Sequence, residues 1–283
     1  MKVMKFGGTS VGSAERIKSV VELIRSRGRN LIVLSAMSGT TNSLVEIAGY
    51  LYNKNADGAR DVINSLSGKY EKHIAELCST PEYRNRALEY VRGIFAYLAS
   101  FTKQAISQTE EKIILAQGEL MSTYMMTCYL QEQGIDAVLL PALDFMKTDA
   151  QGEPDSDFIK ANLKKVIEPY PDAALYITQG YICRNASNDY DNLQRGGSDY
   201  SASLIGAAIV ADEIQIWTDI DGMHNNDPRI VDHTSAVHHI HFEEASELAY
   251  FGAKVLHPTC IQPAKNAITN AGGQVSVIGE KAE

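Results

Sequence analysis

The sequence predicts an α/β protein built around a mainly parallel β-sheet with helices on both faces. Short apolar runs of strand length alternate along the chain with segments in which apolar residues recur at helical spacing. This alternation favours parallel pairing, because a crossover between parallel strands needs a connection long enough for a helix. Some of the runs, such as Leu31–Leu34, are apolar throughout, which is typical of strands covered on both faces. We therefore expect a three-layer αβα sandwich.

The elements are predicted in order as follows. Lys2–Phe6 forms a strand, and the helix after it starts at the N-cap Ser13 and ends at Gly28. Two helical stripes between Ala56 and Thr109 predict a hairpin that packs as an insertion, and a longer helix follows from about Glu111 to Gly134. The other predicted strands are Leu31–Leu34, Ala137–Leu140, Leu175–Thr178, Glu213–Thr218 and Gln274–Ile278, and the other predicted helices are Ser43–Tyr52, an alanine-rich helix to about Ala211, and Phe242–Phe251.

Composition narrows the class of protein. The chain has 283 residues and a formal net charge of -9, which argues against nucleic acid as the main partner, because phosphate backbones are bound by clustered Lys and Arg. Its four cysteines are scattered and include no CxxC pair, as expected of reduced thiols. No apolar run approaches the roughly 20 residues that a membrane helix needs. We expect a cytoplasmic protein without a membrane partner.

Two pairs of adjacent glycines mark the candidate site. Gly7–Gly8 follow the first strand and Gly196–Gly197 follow a polar loop; each pair has a basic residue upstream, Lys5 or Arg195, and a helix downstream. Without β-carbons, the backbone N–H groups of such turns can converge on one oxyanion, and a helix N-terminus adds to the attraction. Either pair alone fits an ordinary strand-to-helix turn, but two matching pairs favour a polyphosphate site.

Further polar candidates fall at predicted strand ends, where open α/β sheets place their ligands. They include the hydroxyl-rich segment Ser35–Asn42, Asp199 after the second glycine pair, and Asp219 after a strand. Glu119 interrupts an apolar helical stripe, either to meet a cation or as a partly exposed residue of the first turn. Glycine turns, cations and acids at one edge suggest phosphoryl transfer, which depends on positioning and charge neutralisation.

The sequence argues against two common kinase classes and against a histidine metal site. The chain lacks GxxxxGK[ST] and the HRD and DFG motifs of protein kinases. His239 and His241 would share a strand face, but no Cys or acid at ligand spacing supports a metal site there. We predict no metal site built by protein ligands alone.

Several segments in order along the chain resemble aspartate kinases of the amino-acid kinase family. They are KFGGTSV at 5–11, SAMSGTTN at 35–42, QGE at 117–119, RGGSDYSA at 195–202, WTDIDG at 217–222, NDPR at 226–229 and FGAKVLHP at 251–258. The resemblance covers essentially the whole chain, and its first and fourth segments are the most specific. Carbamate, acetylglutamate, glutamate and uridylate kinases share the sandwich but are not expected to carry this full set.

The resemblance implies ATP-dependent phosphorylation of the L-aspartate β-carboxylate, towards lysine, threonine and methionine, with Mg²⁺ bridging the ATP phosphates. Lys5 would stabilise the transferring phosphoryl group and Asp199 would orient Lys5. Arg195 would bind the aspartate α-carboxylate and Glu119 its ammonium group. The other implied substrate contacts are Ser35, Thr41, Gly196, Gly197 and Ser198, and the implied nucleotide contacts are Lys5, Gly7, Gly8, Thr218, Asp219, His224, Arg229, Lys254 and Val255.

The resemblance also implies a domain plan. Residues 1–283 would form one catalytic domain, with an amino-acid-binding lobe to about 205 and a nucleotide-binding lobe from about 206 to 283. A full-length form would carry C-terminal ACT regulatory domains and could be a homo-oligomer. His224, where the family usually has tyrosine, and Gln194, where it usually has glycine, depart from the pattern. Two alternatives stay open: a nucleotide-binding module without turnover, and a related kinase with another carboxylate acceptor.

Overall fold

The computed structural model describes residues 1–25, 28–193, 196–219, 233–235, 237, 244, 260, 262–268 and 271–280. The strands are β1 Lys2–Phe6, β2 Asn30–Leu34, β3 Ala137–Leu140, β4 Leu175–Gln179, β5 Ile182–Arg184, β6 Tyr190–Asn192, β7 Glu213–Thr218 and β8 Gln274–Gly279. The helices are α1 Ala14–Arg25, α2 Thr40–Tyr52, α3 Ala56–Leu77, α4 Pro81–Ser100, α5 Gln108–Glu132, α6 Ser156–Ile167, α7 Gly197–Ile209 and α8 Gln262–Ala267.

One six-stranded sheet organises these elements, in the order β3-β4-β2-β1-β7-β8. All of its pairings are parallel. Side chains of the central strand alternate between two cores: Met4 and Phe6 pack with helices α1 to α5, whereas Val3 packs with α6, α7 and α8. The predicted α/β class and the three-layer sandwich are confirmed.

The register of the sheet brings the loops of interest to one edge. In the ladders, Phe6 of β1 is paired with Leu34 of β2 on one side and with Trp217 of β7 on the other. The three strands therefore end side by side, and the segments that follow them share the carboxyl edge of the sheet. Strands β7 and β8 continue the same sheet as β1, and the division into lobes near residue 205 stays a prediction.

The structure corrects several local predictions. The polar loop after β4 forms the antiparallel hairpin β5–β6, because backbone pairing between Ile182–Arg184 and Tyr190–Asn192 needs no apolar alternation. Helix α6 was not predicted, although Asp155 caps it by accepting a hydrogen bond from the Phe158 N–H. Helix α2 begins at Thr40 rather than Ser43, directly after Gly39 in the left-handed conformation.

Two predictions for the segment 238–251 lie outside the described residues. They are the histidine cluster at 238–241 and, apart from Glu244, the helix at 242–251. Among the helices that the structure describes, none is both long enough and apolar enough to cross a bilayer.

Candidate functional site

An ion pair joins the two glycine turns. Lys5 Nζ at the end of β1 lies 2.8 Å from Asp199 Oδ1 in the first turn of α7, and the two side chains are only 13% and 15% exposed. Residues almost 200 positions apart are thus in direct contact, as predicted. Pairing with a carboxylate holds the ammonium group in place at the shared edge.

The glycines at this edge are required by close packing. A β-carbon at Gly8 would lie 2.7 Å from the Ala36 carbonyl oxygen, and one at Gly197 would lie 2.5 Å from Tyr181 Cδ2. Gly196 has φ +76°, a left-handed conformation that residues other than glycine rarely adopt. The loops can approach one another this closely only because these side chains are absent.

A cavity of about 400 Å³ lies where the loops meet. Six residues predicted from the sequence line it: Gly8, Ser35, Thr41, Glu119, Gly197 and Ser198. Its other lining residues are Ala36, Met37, Ser38, Gly39, Asn42 and Tyr181. Strand ends, the start of α2 and the middle of α5 therefore contribute to a single polar pocket.

Hydrogen bonds fix the β2–α2 segment (residues 35–42) along one wall of the cavity. Ser35 Oγ donates to Ser198 Oγ at 3.0 Å, and Ser122 Oγ of α5 donates to the Ser35 carbonyl at 2.8 Å. The Ser38 N–H donates to the Gly8 carbonyl at 3.0 Å. The wall is thus tied to α7, to α5 and to the turn after β1.

Glu119 supplies a buried carboxylate with an unused oxygen. Its side chain accepts a hydrogen bond from the Ala36 N–H at 3.2 Å through Oε1, while Oε2 is buried and has no partner among the described residues. The residue is 4% exposed, and this burial raises the pKa of the carboxyl group to about 8. A cation in the cavity would pair with Oε2 and restore the ionised form.

The nucleotide side is described only in part. Thr218 ends β7 and Asp219 follows it, exposed, beside the turn after β1. Trp217 stacks on Phe6 with ring centroids 5.5 Å apart, which packs the ends of the two strands together. The predicted residues Arg195, His224, Arg229, Lys254 and Val255 lie outside the described residues.

Tyr181 is a cavity residue that sequence reasoning did not assign. It has φ +67°, an uncommon conformation for a non-glycine residue, and its N–H donates to Ser201 Oγ at 2.9 Å. Burial raises the pKa of its phenol to about 12, so the ring stays neutral. The signal in the sequence was its position, because Tyr181 follows Gly180 just after β4, at a strand end where open α/β sheets bind ligands. Gly180 is itself required by packing, since a β-carbon there would lie 2.6 Å from Ser198 Cβ. Backbone strain of this kind concentrates at functional sites.

Comparison with known proteins identifies relatives over nearly the whole chain. Lysine-sensitive aspartokinase 3 of Escherichia coli is 33% identical over 266 residues, which are 93% of this chain and 58% of that protein. The aspartokinase of Chlamydia pneumoniae is 31% identical over 271 residues, 94% of this chain and 58% of that protein. The chain thus spans less than two thirds of the length of either.

The fold comparison agrees. The crystal structure of E. coli aspartokinase III in complex with aspartate and ADP (R-state) matches with a TM-score of 0.78 and 31% identity, covering 100% of this chain and 65% of that one. The model of the amino acid kinase family matches residues 1–271. Because the family model matches nearly the whole chain, and the sandwich fold and the paired glycine turns agree with that match, the chain belongs to the amino acid kinase family.

Proposed function

We propose that this chain catalyses the ATP-dependent phosphorylation of the L-aspartate β-carboxylate to 4-phospho-L-aspartate. The observation that carries the proposal is the cavity itself, where the unpaired buried carboxylate of Glu119 shares one pocket with the glycine turns joined by Lys5 and Asp199. An amino acid with an anionic side chain needs these features: a counter-charge for its ammonium group and anion-binding groups near its reacting carboxylate. The relative solved with aspartate and ADP supports the same substrates.

Aspartate would be oriented by groups on three sides. Its ammonium group would pair with Glu119 Oε2, and its α-carboxylate would be bound by Arg195, because a guanidinium group binds carboxylates through two parallel hydrogen bonds. The hydroxyl groups of Ser35, Thr41 and Ser198 line the cavity and would contact the remaining oxygens. The backbone of Gly196–Gly197 would contribute N–H donors.

The chemistry then needs little more than alignment. A β-carboxylate is ionised near neutral pH, so one of its oxygens can attack the γ-phosphorus without a general base. The new C–O–P bond forms as the bond from phosphorus to the bridging oxygen breaks, and ADP leaves with that electron pair. Lys5 would neutralise charge on the moving phosphoryl oxygens, Asp199 would hold Lys5, and Gly7–Gly8 would donate backbone hydrogen bonds.

The nucleotide would lie beyond this point along the same edge. Its proposed contacts are Lys5, Gly7, Gly8, Thr218, Asp219, His224, Arg229, Lys254 and Val255. Among the residues that the structure describes, no group of three or more His, Cys, Asp or Glu could enclose a metal ion. The proposed nucleotide contacts include one acidic residue, Asp219. A single carboxylate fits a Mg²⁺ ion that takes most of its ligands from water and phosphate, and such an ion would neutralise the ATP oxygens. The pathway, the regulatory ACT domains and a homo-oligomer stay predictions from the resemblance.

A hydroxylamine trap tests the proposal. The protein is incubated with ATP, Mg²⁺ and aspartate, and the acyl phosphate is captured as aspartate hydroxamate, with glutamate and N-acetylglutamate as competing acceptors. Hydroxamate from aspartate alone is the expected result. ATP binding without any hydroxamate would contradict the proposal and leave a nucleotide-binding module, and preference for another acceptor would replace the substrate.

A further inference from the structure

Helix α3 contacts the cavity wall from behind. It belongs to the helical insertion that the sequence assigned to packing, and none of its residues lines the cavity. Two consecutive residues of α3, Lys69 and Tyr70, nevertheless make hydrogen bonds to the β2–α2 segment. These bonds come in addition to those that α5 and α7 make to the same segment.

Lys69 contacts the β2–α2 segment at Ser38, next to the left-handed Gly39. Its Nζ donates to the Ser38 carbonyl at 2.9 Å. The next residue, Gly39, has φ +83°, and a β-carbon there would lie 3.6 Å from Lys69 Nζ. The ammonium group therefore sits against the left-handed turn that directs Thr41 and Asn42 into the cavity lining.

Tyr70 fixes the following residue. Its ring is fully buried and its hydroxyl group is 2.9 Å from Thr40 Oγ1, which is also fully buried. On its other side Thr40 faces α5, because a β-carbon at Gly118 would lie 3.2 Å from Thr40 Cγ2. Thr40 is thus held between α3 and the stretch of α5 that carries Glu119.

We propose that α3 positions the substrate-binding wall, with Lys69 and Tyr70 as positioning residues that set the aspartate affinity through Ser38 and Thr40. The inference rests on the proposed aspartate kinase activity and adds residues that do not touch the substrate. If it holds, loosening either contact weakens aspartate binding, while the proposed ATP site, whose contacts lie on other segments, keeps its affinity.

A double-mutant cycle separates positioning from packing. Tyr70→Phe leaves Thr40 Oγ1 buried without its partner, Thr40→Val leaves the phenol unpaired, and the double variant removes both polar groups. Because losing both partners costs less than losing one, the double variant should regain thermal stability relative to the less stable single variant. Its KM for aspartate should nevertheless stay raised by about fivefold, the expected effect of one lost hydrogen bond, with KM for ATP unchanged.

Lys69 gives an independent test at a more exposed position. Lys69→Met should raise KM for aspartate by a similar factor of about five, and Lys69→Arg, which keeps a donor, should restore most of it. The matched control is Lys72→Met on the same helix, where the side chain is 74% exposed and makes a 3.9 Å ion pair with Glu76; it should leave KM for aspartate unchanged. This series remains informative if a Tyr70 variant fails to fold.

The outcomes separate the two proposals. Wild-type protein that forms no aspartate hydroxamate would overturn the proposed function. Active wild-type protein whose Lys69→Met and Tyr70→Phe variants bind aspartate with unchanged KM, even at reduced thermal stability, would overturn the positioning role alone. Raised KM for aspartate with rescue by Lys69→Arg supports it.

Discussion

Aspartate binding should release a proton from Glu119. In the free protein this carboxyl group is 4% exposed, accepts one hydrogen bond from the Ala36 N–H, and has its pKa raised to about 8 by burial. Adding aspartate places an ammonium group against the unpaired Oε2, and an adjacent positive charge favours the ionised carboxylate. Binding is therefore coupled to ionisation.

The size of the effect follows from the pKa. With a pKa of about 8, roughly nine in ten Glu119 side chains carry a proton at about pH 7. If the ammonium group returns the pKa towards its ordinary range, binding should release about 0.9 proton at pH 7 and only about 0.1 at pH 9.

Titration calorimetry measures this release directly. The apparent enthalpy of aspartate binding is compared in two buffers with different ionisation enthalpies, and the difference gives the number of protons released. Glu119→Gln keeps an acceptor for the Ala36 N–H but should release no proton and bind aspartate more weakly. Glu111→Gln, on the same helix but at the surface against Tyr52, should behave as wild type. Tight binding by wild-type protein with fewer than about 0.2 protons released at pH 7 would refute the coupling between aspartate binding and ionisation of Glu119.

Three further predictions concern the same edge. Lys5→Ala should lower kcat by about a thousandfold in the hydroxamate assay, and a nearly normal kcat would remove Lys5 from the mechanism. The control is Lys2→Ala at the start of β1, which breaks an ion pair with Glu213 of β7 and should leave kcat near wild type. Gly8→Ala should lower the melting temperature in calorimetry, because the new methyl group would lie 2.7 Å from a backbone oxygen, and an unchanged value would contradict this packing. Glu119→Gln should gain stability over wild type without aspartate as pH rises from about 4.5 to about 8, by at most about 1.4 kcal/mol per pH unit, because only the folded wild type holds the extra proton there. Chemical denaturation across this range should show a growing difference in the free energy of unfolding, and a constant difference would refute the prediction.

The sheet and the convergence of its loops could be predicted because their signals are local. Strands such as Ala137–Leu140 and Glu213–Thr218 have the bounds expected from their apolar character. Parallel strands place their carboxyl ends at one edge, so Lys5 and Asp199 could be expected to meet.

Other features depend on contacts between distant residues. The conformation of Tyr181 is set by Ser201 and Gly197, neither of which is near it in sequence. The two strands of the hairpin β5–β6 have only three residues each, so no periodicity marks them. Helix α3 shows an ordinary apolar stripe, and only the three-dimensional arrangement shows Lys69 and Tyr70 against the cavity wall.

A crystal structure with aspartate and a non-hydrolysable ATP analogue bound together would test the proposed catalytic site most directly. We expect the aspartate ammonium group on Glu119, the β-carboxylate facing the γ-phosphate, and Lys5 Nζ within about 3 Å of the γ-phosphate oxygens. Aspartate bound away from the cavity, or a γ-phosphate out of reach of Lys5, would contradict it.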